Sequence, residues 1–242
     1  MLRDRRPYYA FEQIARLRRH LRRQTVHIPT EDHGAGSLIA PGRSERRLGH
    51  LVRGSAVGKR TGEQLFRLAA WLRPTTSLEL GTNAGLSSLY LHLPDRRTDL
   101  HTIEGNPYLA AVARDNFSRL RAGANLHQHV GTFSEVLDYL LPTIERLDLV
   151  FIDGDHRHAP TVEYVRRCLT RSGSDTVIVL SDIHWTAEME AAWAEVRRLP
   201  GITASLELWQ HGLLFLRPEF REPVHLALVP FWWKPWRMGF FG

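Results

Sequence analysis

From residue 76 onward the chain alternates short apolar strands with amphipathic helical stretches, and this alternation constrains the fold more than any other feature. The strand segments are "SLELG" (77–81), "LHTIE" (100–104), "DLVFID" (148–153) and "TVIVLS" (176–181), with "LHQHV" (126–130) as a weaker one. Helical patterns lie between them, over 84–93, 107–122, 134–147 and 159–169. Strands separated by helices pair in parallel, with helices on both faces of the sheet. After a further helix over 186–198 the rhythm changes. "ITASLELW" and "GLLFLRP" are separated only by Gln210 and His211, too little chain for a crossover helix, so they pair as an antiparallel hairpin. The expected fold class is α/β: a doubly wound, seven-stranded mixed sheet with a C-terminal antiparallel hairpin, plus an N-terminal helical extension.

Three regions are expected: an N-terminal helical and lid region (1–58), a core domain (59–218) and an aromatic tail (219–242). Ala10, Ile14, Leu17 and Leu21 form a helical apolar stripe. The stretch 25–74, which carries "HIPTEDHGAGSLIAPGRS", looks like a long loop, and loops of that length often face substrate. The 242 residues carry a formal charge of +6, unevenly placed: residues 1–60 hold fourteen Arg or Lys against five acids. Such a region could meet nucleic acid, acidic lipid or an anionic substrate, or simply solvate a helix. The single cysteine, Cys168, excludes an internal disulfide and suits a reducing compartment. No apolar run approaches the ~20 residues of a membrane span, and "MLRDRRPYYA" lacks a signal-peptide core, so a cytoplasmic protein is expected. The tail "VPFWWKPWRMGFFG" suits packing or a homodimer contact first, and peripheral membrane contact second.

"SLELGTNAGLSSLYL" places Gly81 at the end of a strand and Gly85 at the mouth of a helix. The backbone must turn sharply there and approach a ligand with no Cβ in the way. The helix N-terminus adds N–H donors, with Ser87 and Ser88 in its first turns. The Gly-x-x-x-Gly spacing lacks the middle glycine of a dinucleotide fingerprint and the Gly-Lys-Ser/Thr of a phosphate-cradling loop. Glu104 ends the next strand, where an acid accepts hydrogen bonds from ribose hydroxyls. Together these features point to an adenosine ligand without a diphosphate.

"FIDGDHRH" puts Asp153, Asp155, His156 and His158 at the end of another strand, and the next ends at Asp182 and His184. Ligands of a doubly wound sheet bind outside the carboxyl ends of its strands, so both strand ends face one crevice. Carboxylates with imidazoles suit Mg²⁺, Mn²⁺ or another divalent ion. Each residue also has a plain structural reading. Asp155 can stabilise the following turn, and His158 can start a solvated helix. Thr186 is an N-cap without a capping box, and Glu188 complements the helix dipole. Trp185 and Trp193 are spaced as helix-packing residues.

The ordered series "LELGTNAGLSSLYL", "TIEGNP", "VGTFSEVL" and "LVFIDGDH", followed by the hairpin, resembles the class I S-adenosylmethionine-dependent methyltransferases. It is most similar to their O-methyltransferase-like branch, over roughly residues 60–218. The resemblance implies a Rossmann-like fold and methyl transfer from S-adenosylmethionine to a hydroxyl of a small molecule. It implies that Glu79, Gly81 and Gly85 line the methionine end of the cofactor, that Glu104 holds the ribose, and that Thr132 and Phe133 flank the adenine. Thr82, Asn83, Ser87, Gly105 and Asp153 complete the expected cofactor set. In metal-dependent relatives a strand-end acid and a later Asp-Asn pair hold the cation. Asp153 and Asp182 match the first two positions, but Ile183 stands where the Asn would be. Either His184 substitutes, giving the metal set Asp153, Asp182 and His184, or the metal is gone and His156 or His184 is the general base. Two alternatives remain: an RNA methyltransferase, disfavoured by "DGDH" where an Asn/Asp-Pro-Pro-Tyr/Phe segment would stand, and a cofactor-binding protein of altered or no chemistry.

Overall fold

The computed structural model describes residues 4, 6–29, 45–208, 210–220 and 222–228. The chain opens with α1 (Tyr9–Arg22), a two-stranded antiparallel ribbon of β1 (His27–Pro29) and β2 (Glu45–Arg47), and the helices α2 (Leu48–Gly54) and α3 (Lys59–Leu72). The core then runs β3 (Thr76–Leu80), α4 (Leu86–His92), β4 (Asp99–Glu104), α5 (Pro107–Arg119), β5 (Leu126–Val130) and α6 (Phe133–Leu140). It continues through β6 (Leu147–Ile152), α7 (His158–Leu169), β7 (Ser172–Leu180), α8 (Ala187–Val196), β8 (Ala204–Leu208), β9 (His211–Phe215) and β10 (Val224–Ala227).

The sheet order is β10-β8-β9-β7-β6-β3-β4-β5. From β3 the chain steps outward through β4 and β5, then crosses back to lay β6 on the other side of β3. The boundary between β3 and β6 is the topological switch point, where a crevice opens above the strand ends. β9 slots antiparallel between β7 and β8, as the two-residue spacing requires. The central strands are apolar on both faces: Leu149, Val150, Phe151 and Ile152 of β6 and Val177 to Leu180 of β7 are all buried. Helix starts follow their caps. Asn106 accepts from Tyr108 N at 2.9 Å and Leu109 N at 3.1 Å, with Pro107 in the first turn where its missing N–H is harmless.

Two expectations are corrected. Among the described residues the sheet has eight strands, because β10 pairs parallel with β8 inside the segment assigned to the tail. Its outward residues, Leu226 among them, are exposed, so no burial pattern marked it as a strand. The stretch 25–74 is not one long loop either, since α2 and α3 occupy much of it. The Gly34–Gly42 segment and the end of the aromatic tail lie outside the described residues. Ile14, Leu17 and Leu21 of α1 are buried as their spacing demands, and Phe11 joins them against Phe66 (centroids 4.9 Å apart) and Tyr90 (6.1 Å).

Candidate active site

At the end of β3 the chain must pass close to the end of β6. Gly81 has φ +106°, and a Cβ there would lie 2.2 Å from the Asp153 carbonyl oxygen. Gly85 has φ +79°, and a Cβ would meet the Phe117 ring at 2.5 Å. Only glycine fits either position. Between them Gly85 N donates to Thr82 O at 2.8 Å, closing the turn that launches α4.

A hydroxyl network supports this turn from below. Glu79 is fully buried in β3 and accepts from Ser88 Oγ and from Thr102 Oγ1 (2.6 Å), while Thr102 and Thr82 hydroxyls meet at 2.5 Å. Burial raises the Glu79 pKa, against the lowering pull of the Ser87, Ser88 and Thr102 hydroxyls. Glu79 and the two serines thus bind each other beneath the turn.

Glu104, the last residue of β4, faces the same turn. Its Oε2 accepts from Asn83 N at 2.7 Å and its Oε1 from Asn106 N at 2.9 Å. Asn83 holds a left-handed φ of +50°, and its side chain reaches back to Ser55. Gly105 follows in the loop before the α5 cap. At the rim, Thr132 caps α6 in a capping box with Glu135, which occupies its hydroxyl. Phe133 packs over Gly154, where a Cβ would lie 2.7 Å from its ring, and edge-on to Tyr164 at 5.5 Å.

On the other side of the switch point, Asp153, His156 and Asp182 converge. One ligating atom from each lies within 4.8 Å of the others. His156 Nε2 is 4.0 Å from Asp153 Oδ1 and 3.9 Å from Asp182 Oδ2. Burial, then the charge of Asp182, raises the Asp153 carboxyl to about 7, with Ser181 opposing. Burial also raises Asp182 and lowers His156. Asp155 and Asp182 both hold left-handed backbone, at φ +50° and +53°, which costs energy outside glycine and concentrates at functional sites. Asp155 itself turns away and accepts from Tyr164 Oη at 2.9 Å and Arg157 Nε at 2.6 Å, the turn-stabilising role.

His184 stands apart from this cluster. Its Nε2 lies 2.8 Å from Glu207 Oε1 and its Nδ1 3.3 Å from Glu190 Oε1. His156, not His184, therefore completes the group of potential ligands among the described residues. Ile183 is fully buried in the core below α8. Trp193 is buried as expected, donating to Glu207 Oε2 at 3.1 Å, but Trp185 is 44% exposed and lies beside His156, ring centroids 5.0 Å apart. The helix-packing expectation for Trp185 is thus corrected: it lies in the loop before α8, which begins at Ala187, and falls outside the helical register. Thr186 caps α8 by accepting from Met189 N at 3.2 Å, and His158 pairs with Glu195 at 2.9 Å. Cys168 is buried, its thiol pushed up to about 12, and inert.

Residues 78–183, which span both halves of this site, match the family model described as a methyltransferase domain. By this match the chain carries a methyltransferase domain over those residues. Among solved structures it is similar to cofactor-bound Rv0187 from MTB, at 26% identity over 67% of this chain and 82% of that one (TM-score 0.59). It shares its fold with the O-methyltransferase TomG from Streptomyces achromogenes, involved in tomaymycin synthesis and solved in complex with SAM (20% identity, 88% and 91% coverage, TM-score 0.63). The same holds for an O-methyltransferase from Bacillus cereus in complex with SAH (16%, 87% and 92%, TM-score 0.62). The residues present fit an adenosine cofactor. Glu104 presents its carboxylate beside the glycine turn, held there by the Asn83 and Asn106 N–H groups, and a carboxylate is the group type that accepts from ribose hydroxyls.

Proposed function

We propose that the protein transfers the methyl group of S-adenosylmethionine to a hydroxyl oxygen of a small molecule. The observation that carries this reading is the convergence of Asp153, His156 and Asp182 on the crevice edge opposite Glu104 and the glycine turn. When bound, the cofactor supplies an electrophilic methyl on a sulfonium. The acceptor oxygen forms the new O–CH₃ bond, the C–S bond breaks, and S-adenosylhomocysteine leaves. A proton must depart from the oxygen as it attacks. His156 is placed to take it: burial keeps its imidazole neutral, and Asp182 beside it favours the imidazolium that results.

The same three side chains suit a divalent cation in their donor chemistry, two carboxylates and an imidazole. Such an ion, held by Asp153, His156 and Asp182, would supply Lewis acidity toward the acceptor oxygen. The raised carboxyls of Asp153 and Asp182 are the electrostatic signature a cation would relieve.

Calorimetric titration with S-adenosylmethionine and S-adenosylhomocysteine tests the reading. We expect one-to-one binding of both. An absence of binding with and without Mg²⁺ or Mn²⁺ refutes it.

A further inference from the structure

A cleft of about 710 Å³ opens directly beside Asp182, lined by Gly54, His184, Trp185, Glu190, Glu207, Gln210 and Leu228 among others. It adjoins the cluster just described through Asp182 itself and through Trp185, whose ring lies against His156. Among the described residues that line it there is no Lys or Arg, in a chain whose formal charge is +6. The ionisable groups among those residues are instead three acids and one imidazole. His184 lies between Glu190 and Glu207, and a single ring cannot offset two carboxylates in either of its protonation states. Gly54 is the last residue of α2, so the negative end of that helix's dipole also borders the cleft. Trp185 adds a half-exposed indole, the aromatic face to which cations bind best.

We infer that the acceptor of the proposed methyl transfer carries a positively charged nitrogen next to its hydroxyl-bearing part. The hydroxyl would lie toward Asp153 and His156, and the ammonium would be held over Trp185 between Glu190, Glu207 and Asp182. This rests on the methyltransferase reading, because the cleft gains its meaning from the site it adjoins. Its physical basis is separate: a cleft lined by one sign of charge concentrates the opposite sign. An acidic wall also repels a polyanion, so it disfavours RNA as the acceptor despite the basic N-terminal segment.

Three matched phenols separate charge from shape: tyramine (cationic), N-acetyltyramine (neutral) and 4-hydroxyphenylacetate (anionic). Their binding is measured by calorimetry on the complete chain saturated with S-adenosylhomocysteine. Tyramine is expected to bind about tenfold more tightly than the neutral analogue, and the anion more weakly still. Glu190→Gln, on a side chain 60% exposed, and Glu207→Gln, which keeps an acceptor for Trp193, should each shrink the tyramine preference about threefold while leaving S-adenosylhomocysteine binding unchanged. Equal or reversed affinity among the phenols, binding of none of them, or a preference that survives both substitutions overturns the inference. Failure to bind S-adenosylhomocysteine overturns instead the reading it rests on.

Discussion

Asp153 sets stability against chemistry. Its carboxyl titrates near 7 in the folded chain, against an ordinary 3.8, because burial and the neighbouring Asp182 both disfavour the charge. A folded value above the unfolded one has a definite consequence. The stability contribution is intact below about 4 and is lost as pH rises toward 7, because the unfolded chain ionises freely while the folded one resists. A gap of about three pH units, at about 1.4 kcal/mol each, sets an upper limit of about 4 kcal/mol above pH 7. Asp153→Asn keeps the shape and removes the titration. Its side chain is 15% exposed, and the amide has its own burial cost, so about half of that limit, ~2 kcal/mol, is expected to appear. For a chain of this length that is a Tm gain of about 4–8 °C at pH 8. The gain should vanish near pH 4. Thermal melts of both proteins in EDTA across this range provide the test, and methyl transfer by the variant should fall by at least about tenfold. A stability difference that is flat with pH, or that narrows as pH rises, refutes the account of Asp153.

Three further outcomes follow from the site. Glu104→Ala strands Asn83 N and Asn106 N and removes the carboxylate proposed to hold the ribose, so S-adenosylhomocysteine affinity measured by calorimetry should fall by about 30-fold or more. Gly81→Ala drives a Cβ into the Asp153 carbonyl at positive φ, and denaturant titration should show a loss of at least about 2 kcal/mol. His156→Ala should lower kcat by about 100-fold or more, whereas His184→Ala should act mainly on KM for the acceptor; steady-state kinetics with the opposite pattern would make His184 the base.

The order of strands and the site's location were legible because both follow from patterns that burial enforces. Uninterrupted apolar runs such as "LVFI" and "VIVL" suit strands covered on both faces, glycine at 81 is demanded by the close approach of the chain to the Asp153 carbonyl, and glycine at 85 by the Phe117 ring of α5. β10 was illegible for the converse reason. It lies at the sheet edge, three of its four residues are exposed, and its pairing is set by the hairpin it joins rather than by its own composition. α2 and α3 were obscured by the glycine- and proline-rich segment that precedes them. The sharing of Glu79 between Ser88 and Thr102 was likewise beyond reach, since it depends on a serine one turn into α4 facing a neighbouring strand.

The choice between His156 and His184 shows where pattern reasoning stops. Alternation holds along β7 as far as Leu180, and extending it would put Asp182 and His184 on one face with Ile183 opposite. The backbone departs from that rhythm at once. Asp182 takes φ +53°, Ile183 N donates to Gln210 O at 3.2 Å, and Ile183 drops into the core under α8. The chain is thereby pinned to the turn between β8 and β9, and His184 is delivered to Glu207 of the hairpin rather than to Asp153. In the other loop, Asp155 performs the matching manoeuvre: its αL conformation and its bonds to Tyr164 and Arg157 turn His156 inward. A buried isoleucine where an amide ligand was expected therefore does not empty the site. It moves one imidazole to the wall of the neighbouring cleft, and a second imidazole, three residues beyond Asp153, takes the place beside the two carboxylates.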